Sequence, residues 1–179
     1  MRENAFKFSI MAALMLGLTF SACKKDETTE QEVVTTVVLQ LVATDGSLNQ
    51  TYEWNDLDGP GGNAPTVDNI LLTANKTYTC TISVYDRSST PEENITDEII
   101  AENTSHLFVY TTDAVTITIA PTDTDDDGKP FRRMTNWTAG STAIGSVTVT
   151  LKHEPDKDAA NPDVTGDTDF EVSFPVRIL

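Results

Sequence analysis

The segment DTDDDG has the residue types and spacing that best match a binding chemistry in this sequence. Asp123, Asp125 and Asp127 stand at alternate positions before Gly128, which is the spacing of positions one, three, five and six of a calcium loop. A helix–loop–helix calcium site also needs a bidentate Glu at position twelve, where this chain has Met134. The motif therefore predicts a calcium-loop variant on a β scaffold. An acidic hairpin turn is the alternative, because Asp and Gly are favoured turn residues.

A second and weaker candidate for a cation site is DLDGPGG, where Asp56 and Asp58 are the only carboxylates. The glycines are equally typical of a mobile loop. If consecutive strands alternate in direction, this loop reaches the same pole as three other acidic segments. Those segments are the stretch 91–104, DTDDDG and HEPDKD. The sequence thus predicts one acidic pole, with calcium as its candidate cofactor.

The two histidines, His106 and His153, are candidates for a zinc site because imidazole and carboxylate groups together can bind this ion. The stretch HEPDK is not a metalloprotease motif, since Pro155 blocks a helix and the second histidine is absent. A histidine at a strand end more often makes a surface hydrogen bond. Both interpretations stay open at this point.

No motif in the chain predicts catalysis. There is no GxSxG nucleophile elbow, and GSTAIG lacks the lysine of a phosphate-binding loop. Acids crowded on exposed loops are poor candidates for a tuned acid–base pair, in which one member must be buried. Trp54 and Trp137 could form a sugar-stacking platform, but two tryptophans in a sandwich more often belong to the core. We therefore predict that the protein is not an enzyme.

Alternation of apolar and polar residues predicts the elements that position these side chains. It recurs in VVTTVVLQLVA, TYTCTISVY, AVTITIAP, SVTVTLKH and DFEVSFPVRIL. Such strands are buried on one face and exposed to solvent on the other. Many short strands between turns indicate two packed sheets. We predict an all-β, antiparallel, immunoglobulin-like sandwich of about eight to nine strands as one domain over residues 33–179.

One segment departs from the alternation and predicts a short surface helix near residues 91–104. Thr90 can serve as its N-cap, Pro91 as its first residue and Glu93 as the partner that completes a capping box. Two further positions carry local predictions. Pro175 places the last strand at a sheet edge, and Cys80 lies on an apolar face as a small core residue.

The charge balance limits the partners. The 179 residues include 12 basic and 28 acidic side chains, a net charge of −16. Without residues 1–22, which include two basic residues and one acidic residue, the chain has 10 basic and 27 acidic residues and a net charge of −17. Such a field repels nucleic acid and anionic lipid, so we predict neither as a direct partner of the domain.

The N-terminus has the parts of an export signal. Arg2 and Lys7 form a basic head, and residues 8–20 are apolar but shorter than the roughly 20 residues that span a bilayer. Residues 1–22 therefore predict a signal peptide that is removed. The sequence FSAC, ending at Cys23, resembles a bacterial lipobox, with Phe20 in place of the usual Leu. This resemblance implies lipidation of Cys23 and anchoring by acyl chains such as palmitate; a plain signal with an incidental cysteine is the alternative.

The residues after the cysteine resemble an export tag. Lys25, Asp26 and Glu27 are similar to the lysine-plus-acidic tag of surface lipoproteins of the Bacteroidota. A solvated, flexible tether over residues 23–32 is the alternative interpretation of the same charges.

The body of the chain is also similar to small lipoproteins of that group, in DLDGPGGNAP, the acidic segment before HLFVY, DTDDDGKP and LKHEPDK. The resemblance implies an outer-membrane lipoprotein that faces outward, held to the membrane by its N-terminal lipid, and it implies no activity. We expect a non-catalytic binding or structural module. The alternative is a lipoprotein that captures a metal complex or a glycan for a transporter, and the identity of a protein or glycan partner stays open.

Overall fold

The computed structural model describes residues 33–179, which belong to one compact unit, Gln31–Leu179. The strands are β1 (Thr36–Ala43), β2 (Asn49–Asn55), β3 (Thr66–Val67), β4 (Ile70–Leu72), β5 (Thr77–Tyr85), β6 (His106–Asp113), β7 (Ile117–Pro121), β8 (Met134–Ala139), β9 (Ala143–His153) and β10 (Asp167–Ile178). The helix α1 is Ile95–Ala101, and 3₁₀ turns cover Asn103–Ser105 and Pro162–Val164. Among the described residues, no helix is long and apolar enough to cross a membrane.

The predictions for the N-terminus lie outside the described residues. They are the signal peptide 1–22, the lipidation of Cys23, the export tag Lys25, Asp26 and Glu27, and the tether that ends at residue 32. These stay predictions from sequence.

The strands form two sheets that share one core, as their alternation predicts. One sheet has the order β3-β2-β1-β5-β8-β7 and the other β4-β10-β9-β6. All neighbours are antiparallel except β4 and β10, which are parallel. The inward residues of both sheets form a continuous buried cluster that includes Leu39, Ile82, Trp137, Val149 and Phe174. The all-β sandwich prediction is confirmed.

The described residues form ten strands, because the segment 66–72 is divided between the two sheets. β3 pairs with β2 at Trp54, whereas β4 pairs with β10 in the other sheet. Asp68 lies at the crossing point, where its backbone N–H donates to the carbonyl of Glu53 and its carboxylate accepts from the N–H of Glu53. These two bonds are the last contacts with β2, and after them the chain crosses to β4 in the second sheet.

The helix begins later than the capping box places it. The prediction of Thr90 as the N-cap and Pro91 as the first helical residue is wrong. The backbone N–H of Glu93 donates to the carbonyl of Asp86 at 2.8 Å, and the N–H of Asp86 donates back at 3.0 Å. A residue held in this β-bridge cannot supply the third position of a helix, so α1 begins at Ile95 with Asn94 as its N-cap. The hydroxyl of Thr96 then bonds both backbone groups of Val84 and fastens the helix to β5.

The predictions for Pro175 and Cys80 have different outcomes. β10 pairs with β9 along its length but with β4 only over Val176–Ile178, so Pro175 stands where the second side of the strand is unpaired. The edge prediction holds up to this proline and is wrong for the last three residues of the strand. Cys80 is buried in the core, as predicted, and burial raises the pKa of its thiol.

The four acidic loops lie at one end of the sandwich, as the alternating strand directions predict. We call the loops 56–65, 86–105, 122–133 and 154–166 the acidic pole. Hydrogen bonds connect the loops 86–105, 122–133 and 154–166 to each other, and the backbone N–H of Asp56 connects the loop 56–65 to the carbonyl of Thr35. Asp126 donates its N–H to the side chain of Asn103 at 2.9 Å, and Glu154 donates its N–H to the carbonyl of Ser105 at 2.7 Å.

Candidate metal centre

The DTDDDG motif folds into a turn in which the central carboxylate is already paired. Oδ1 of Asp125 accepts the backbone N–H groups of Asp127 at 3.0 Å and Lys129 at 2.8 Å. Oδ2 of Asp125 lies 2.7 Å from the ammonium of Lys157. Both oxygens are therefore engaged, and the lysine stands where a cation bound by Asp125 would lie.

This ion pair is buried and joins three loops of the acidic pole. The side chains of Lys157 and Asp125 are only 5% and 1% exposed. The ammonium of Lys157 also donates to the carbonyl of Asn103 at 2.8 Å and lies 5.9 Å from the centre of the Phe131 ring. Burial by itself raises the pKa of Asp125, but the ammonium and the two backbone N–H groups outweigh it, so the pKa is lowered.

The other two predicted ligands of the motif do not complete a calcium loop around Asp125. Oδ2 of Asp123 accepts the backbone N–H of Met134 at 2.9 Å, and Asp127 is exposed. Within residues 33–179, the metal-sized cluster of ligand atoms forms elsewhere, among two histidines and a different aspartate. Calcium binding by Asp123, Asp125 and Asp127 stays a prediction, and this geometry favours its turn alternative.

The DLDGPGG loop is likewise closed by its own carboxylate. Oδ2 of Asp58 accepts both the backbone N–H of Asn63 at 2.8 Å and its side-chain amide at 2.7 Å. These bonds lower the pKa of Asp58, which is exposed. Calcium binding at Asp56 and Asp58 stays a prediction. The carboxylate of Asp58 already closes the turn through its two bonds to Asn63.

The candidate metal centre consists of His106, His153 and Asp169, on three adjacent strands at the acidic pole. His106 is the first residue of β6 and lies directly opposite His153, the last residue of β9. Asp169 belongs to β10, which pairs with β9 on its other side. Residues opposite each other in neighbouring strands present their side chains on the same face, which brings the two imidazoles together.

A β-bulge brings in the third group. The register of β10 against β9 shifts between Thr168 and Phe170, so Asp169 is the extra residue of the strand. In a regular strand, Asp169 would point away from the face that Phe170 occupies in the core. A bulge interrupts this alternation and turns a side chain toward a new direction. The carboxylate thereby reaches the two histidines.

The three candidate ligand atoms form a triangle of metal-binding size. His106 Nε2 lies 3.2 Å from His153 Nδ1, and Oδ2 of Asp169 lies 3.5 Å from the first nitrogen and 3.6 Å from the second. Ligands about 2.05 Å from a tetrahedral zinc ion stand about 3.3 Å apart, whereas octahedral neighbours at that bond length stand about 2.9 Å apart. The observed edges fit a tetrahedral ion better.

A second hydrogen bond prepares His106 as a ligand. Its Nδ1 lies 3.1 Å from the carbonyl oxygen of Glu102, which can only accept. In the neutral ring the hydrogen is therefore on Nδ1, and Nε2 presents a lone pair to His153 and Asp169. Histidine ligands of metals commonly donate their other ring N–H to a backbone carbonyl in this way. Without an ion, the Nδ1–H of His153 can donate to the lone pair on His106 Nε2. The carboxylate of Asp169 then faces the same N–H as a second acceptor.

The loop after His153 holds the centre in place. Gly166 has a φ of +71°, and a Cβ there would lie 2.3 Å from the carbonyl oxygen of His153. Only glycine permits this close return of the chain at the entry to β10. The residue after His153 is also tied to the 3₁₀ turn before His106, through the bond from Glu154 to Ser105.

The sequence pointed to two members of the centre and missed the third. His106 and His153 are candidate zinc ligands from their residue type, and the strand register brings them together. Asp169 carries no sequence signal, because alternation counted back from Phe170 turns it to the solvent face. The bulge that reverses this is a property of the packed strand and cannot be read from the residue pattern.

The aromatic residues do not form the sugar platform considered from sequence. Trp137 is fully buried and donates its indole N–H to Thr135, while Trp54 packs partly buried against the core three strands away. A cavity of about 240 Å³ is lined by Tyr110, Ile119, Pro121, Arg132, Thr135 and Asp163. It is smaller than the roughly 300–1,000 Å³ typical of small-molecule sites.

No protein-family model, curated protein or solved structure matches this chain.

Proposed function

We propose that the protein is a lipid-anchored lipoprotein of the outer membrane, facing outward, whose β-sandwich binds a divalent transition-metal ion without catalysing a reaction. The site is formed by His106, His153 and Asp169. The triangle of two imidazole nitrogens and one carboxylate oxygen, with edges of 3.2, 3.5 and 3.6 Å, carries the metal part of the proposal. The lipobox at Cys23 supports the anchor.

The donor set selects the kind of metal. Two imidazoles and one carboxylate suit zinc and neighbouring transition metals, whereas calcium prefers six to eight oxygen ligands. The acidic character of the chain, with a net charge of −16, raises the local concentration of divalent cations in general. Selection of one kind of ion then comes from the nitrogen donors of His106 and His153.

Zinc titration of the mature chain, purified from membranes in detergent without a histidine tag, tests the metal site. We expect one zinc ion per chain, measured by competition with a chromogenic chelator. Asp169→Asn removes the charged ligand and should weaken binding at least about tenfold. Glu171→Gln is the matched control, because this exposed acid lies two residues further along β10, on its outer face, and is not among the ligands. Equal affinities of the two variants, or no bound zinc, would refute the site.

Membrane fractionation tests the anchor separately. Cys23→Ala removes the sulfur that would carry the lipid in the lipobox. The protein should then leave the membrane fraction or remain unprocessed. Protease treatment of intact cells should digest the wild-type protein if it faces outward. Unchanged membrane association of the Cys23→Ala variant would contradict the lipid anchor without bearing on zinc.

The ligand-capturing alternative divides into two parts. For a glycan, the cavity beside Tyr110 is small and Trp137 is buried, so no aromatic surface among these residues supports it. For a metal complex, the centre itself is the relevant site, and the number of its ligands decides whether a complex can bind.

A further inference from the structure

We infer that the ion held by His106, His153 and Asp169 keeps one coordination position open and takes there a small external ligand with an anionic oxygen or nitrogen donor. This inference rests on the proposed metal binding and adds to it the chemical class of what the bound ion captures. The centre would then bind a metal complex. It would not be a closed structural site in which the ion only cross-links three strands.

The number of ligands is the first argument. Within residues 33–179, the cluster has three donors, and no fourth His, Cys, Asp or Glu joins it. The edges of the triangle fit a tetrahedral ion, for which three protein ligands leave one position. Structural zinc sites in proteins are closed by four protein ligands, whereas sites that act on an external molecule keep one position for it.

The burial of the three side chains gives the direction of the open position. His106 is only 7% exposed and is held from behind by the carbonyl of Glu102, so it forms the floor of the site. His153 and Asp169 are 26% and 28% exposed and form the outer side. An ion between these ligands therefore has its protein donors on the inner side and its remaining position toward solvent.

Charge selects the external donor. A divalent ion with two neutral imidazoles and one carboxylate has a net charge of +1 in a partly buried position. One anion neutralises this charge, while a neutral donor leaves it uncompensated at a cost in desolvation. The net charge of −16 on the whole chain repels large polyanions, so a small carboxylate or a similar monovalent anion fits best.

Cobalt substitution of the mature chain in detergent tests this inference, because visible absorption of Co²⁺ reports its coordination. We expect a four-coordinate spectrum that changes saturably when azide or acetate is added, with one anion bound per cobalt. Glu171→Gln should give the same titration as the wild type. Asp169→Asn changes the charge at the ion and should shift both the starting spectrum and the anion affinity.

The outcomes separate this inference from the proposed function. Cobalt that binds with one ion per chain but shows no response to either anion, with four protein donors in X-ray absorption, would overturn the open position and leave metal binding intact. Failure of cobalt and zinc to bind at all would refute both. A saturable response to azide and acetate would support both.

Discussion

Replacing Lys157 by methionine leaves the buried carboxylate of Asp125 without its cation. The lysine side chain is 5% exposed and its partner 1% exposed, so solvent cannot take over the role of the ammonium. Removing one partner of a buried ion pair costs about 3–5 kcal/mol of unfolding free energy. For a domain of this size, each kcal/mol lowers the unfolding midpoint by about 2–4 °C. We therefore expect Lys157→Met to lower the midpoint by about 6–20 °C, measured by circular dichroism.

Two further variants identify the cause of this loss. Lys157→Met combined with Asp125→Asn removes both charges, while the amide oxygen at position 125 can still accept the N–H groups of Asp127 and Lys129. The double variant should therefore recover most of the stability that the single variant loses. Lys129→Met is the matched control, because it breaks an exposed pair with Asp158 that contributes about 0–1 kcal/mol.

Two results would refute this reasoning. A double variant as unstable as Lys157→Met would show that the loss comes from packing of the lysine stem and not from an unpaired carboxylate. A loss as small as that of the Lys129→Met control would show that the pair is open to water.

The pH dependence of the same pair has a defined sign. Because the pKa of Asp125 is lowered in the folded protein, the unfolded chain binds more protons as the pH falls through the ordinary carboxyl range near about 3.9. The pair therefore stabilises the fold above that range and loses its effect below it. The double variant Lys157→Met with Asp125→Asn should lose less stability than the wild type between neutral pH and about pH 3, as measured by urea unfolding.

The remaining predictions concern the turn near the metal centre, the core thiol and calcium. Gly166→Ala places a Cβ 2.3 Å from the carbonyl oxygen of His153 and should weaken both stability and zinc affinity. Gly46→Ala is its control, because Gly46 has a similar φ but free space around it; it should lower the free energy of unfolding by only about 1–2 kcal/mol and leave zinc binding unchanged. Cys80 is buried, so a thiol reagent should modify it only at the rate of unfolding, and fast labelling of the native protein would contradict its position. Millimolar calcium should leave the unfolding midpoint within the error of the chelated sample, and a rise that disappears on neutralising acids in the 123–128 loop would restore the calcium hypothesis.

The fold was accessible from sequence because its signals are local. Alternation over five to eight residues defines each strand, and the order of strands along the chain decides which loops share a pole. The helix start was not accessible in the same way. Glu93 matches a capping box by residue type, but its backbone is paired with Asp86, and a contact across the chain overrides a local preference.

The calcium motif shows where residue type alone falls short. Asp125 has the spacing of a cation ligand, and the sequence cannot tell whether a metal ion or a lysine neutralises it. Lys157 stands 32 residues later in another loop, and only the packed pole places its ammonium 2.7 Å from the carboxylate. A buried carboxylate needs a positive partner, but its identity depends on which loops meet.

The sequence by itself determined the all-β class, the inward faces of the strands, the gathering of acidic loops at one pole and the two histidines worth considering as ligands. Only the tertiary structure decided that Asp169 joins His106 and His153. A register shift of one residue moves a side chain to the other face of a sheet, and the bulge at this position makes that shift locally. The metal centre depends on this single change of register, which arises from the fit of β10 against β9 and leaves no trace in the pattern of residue types.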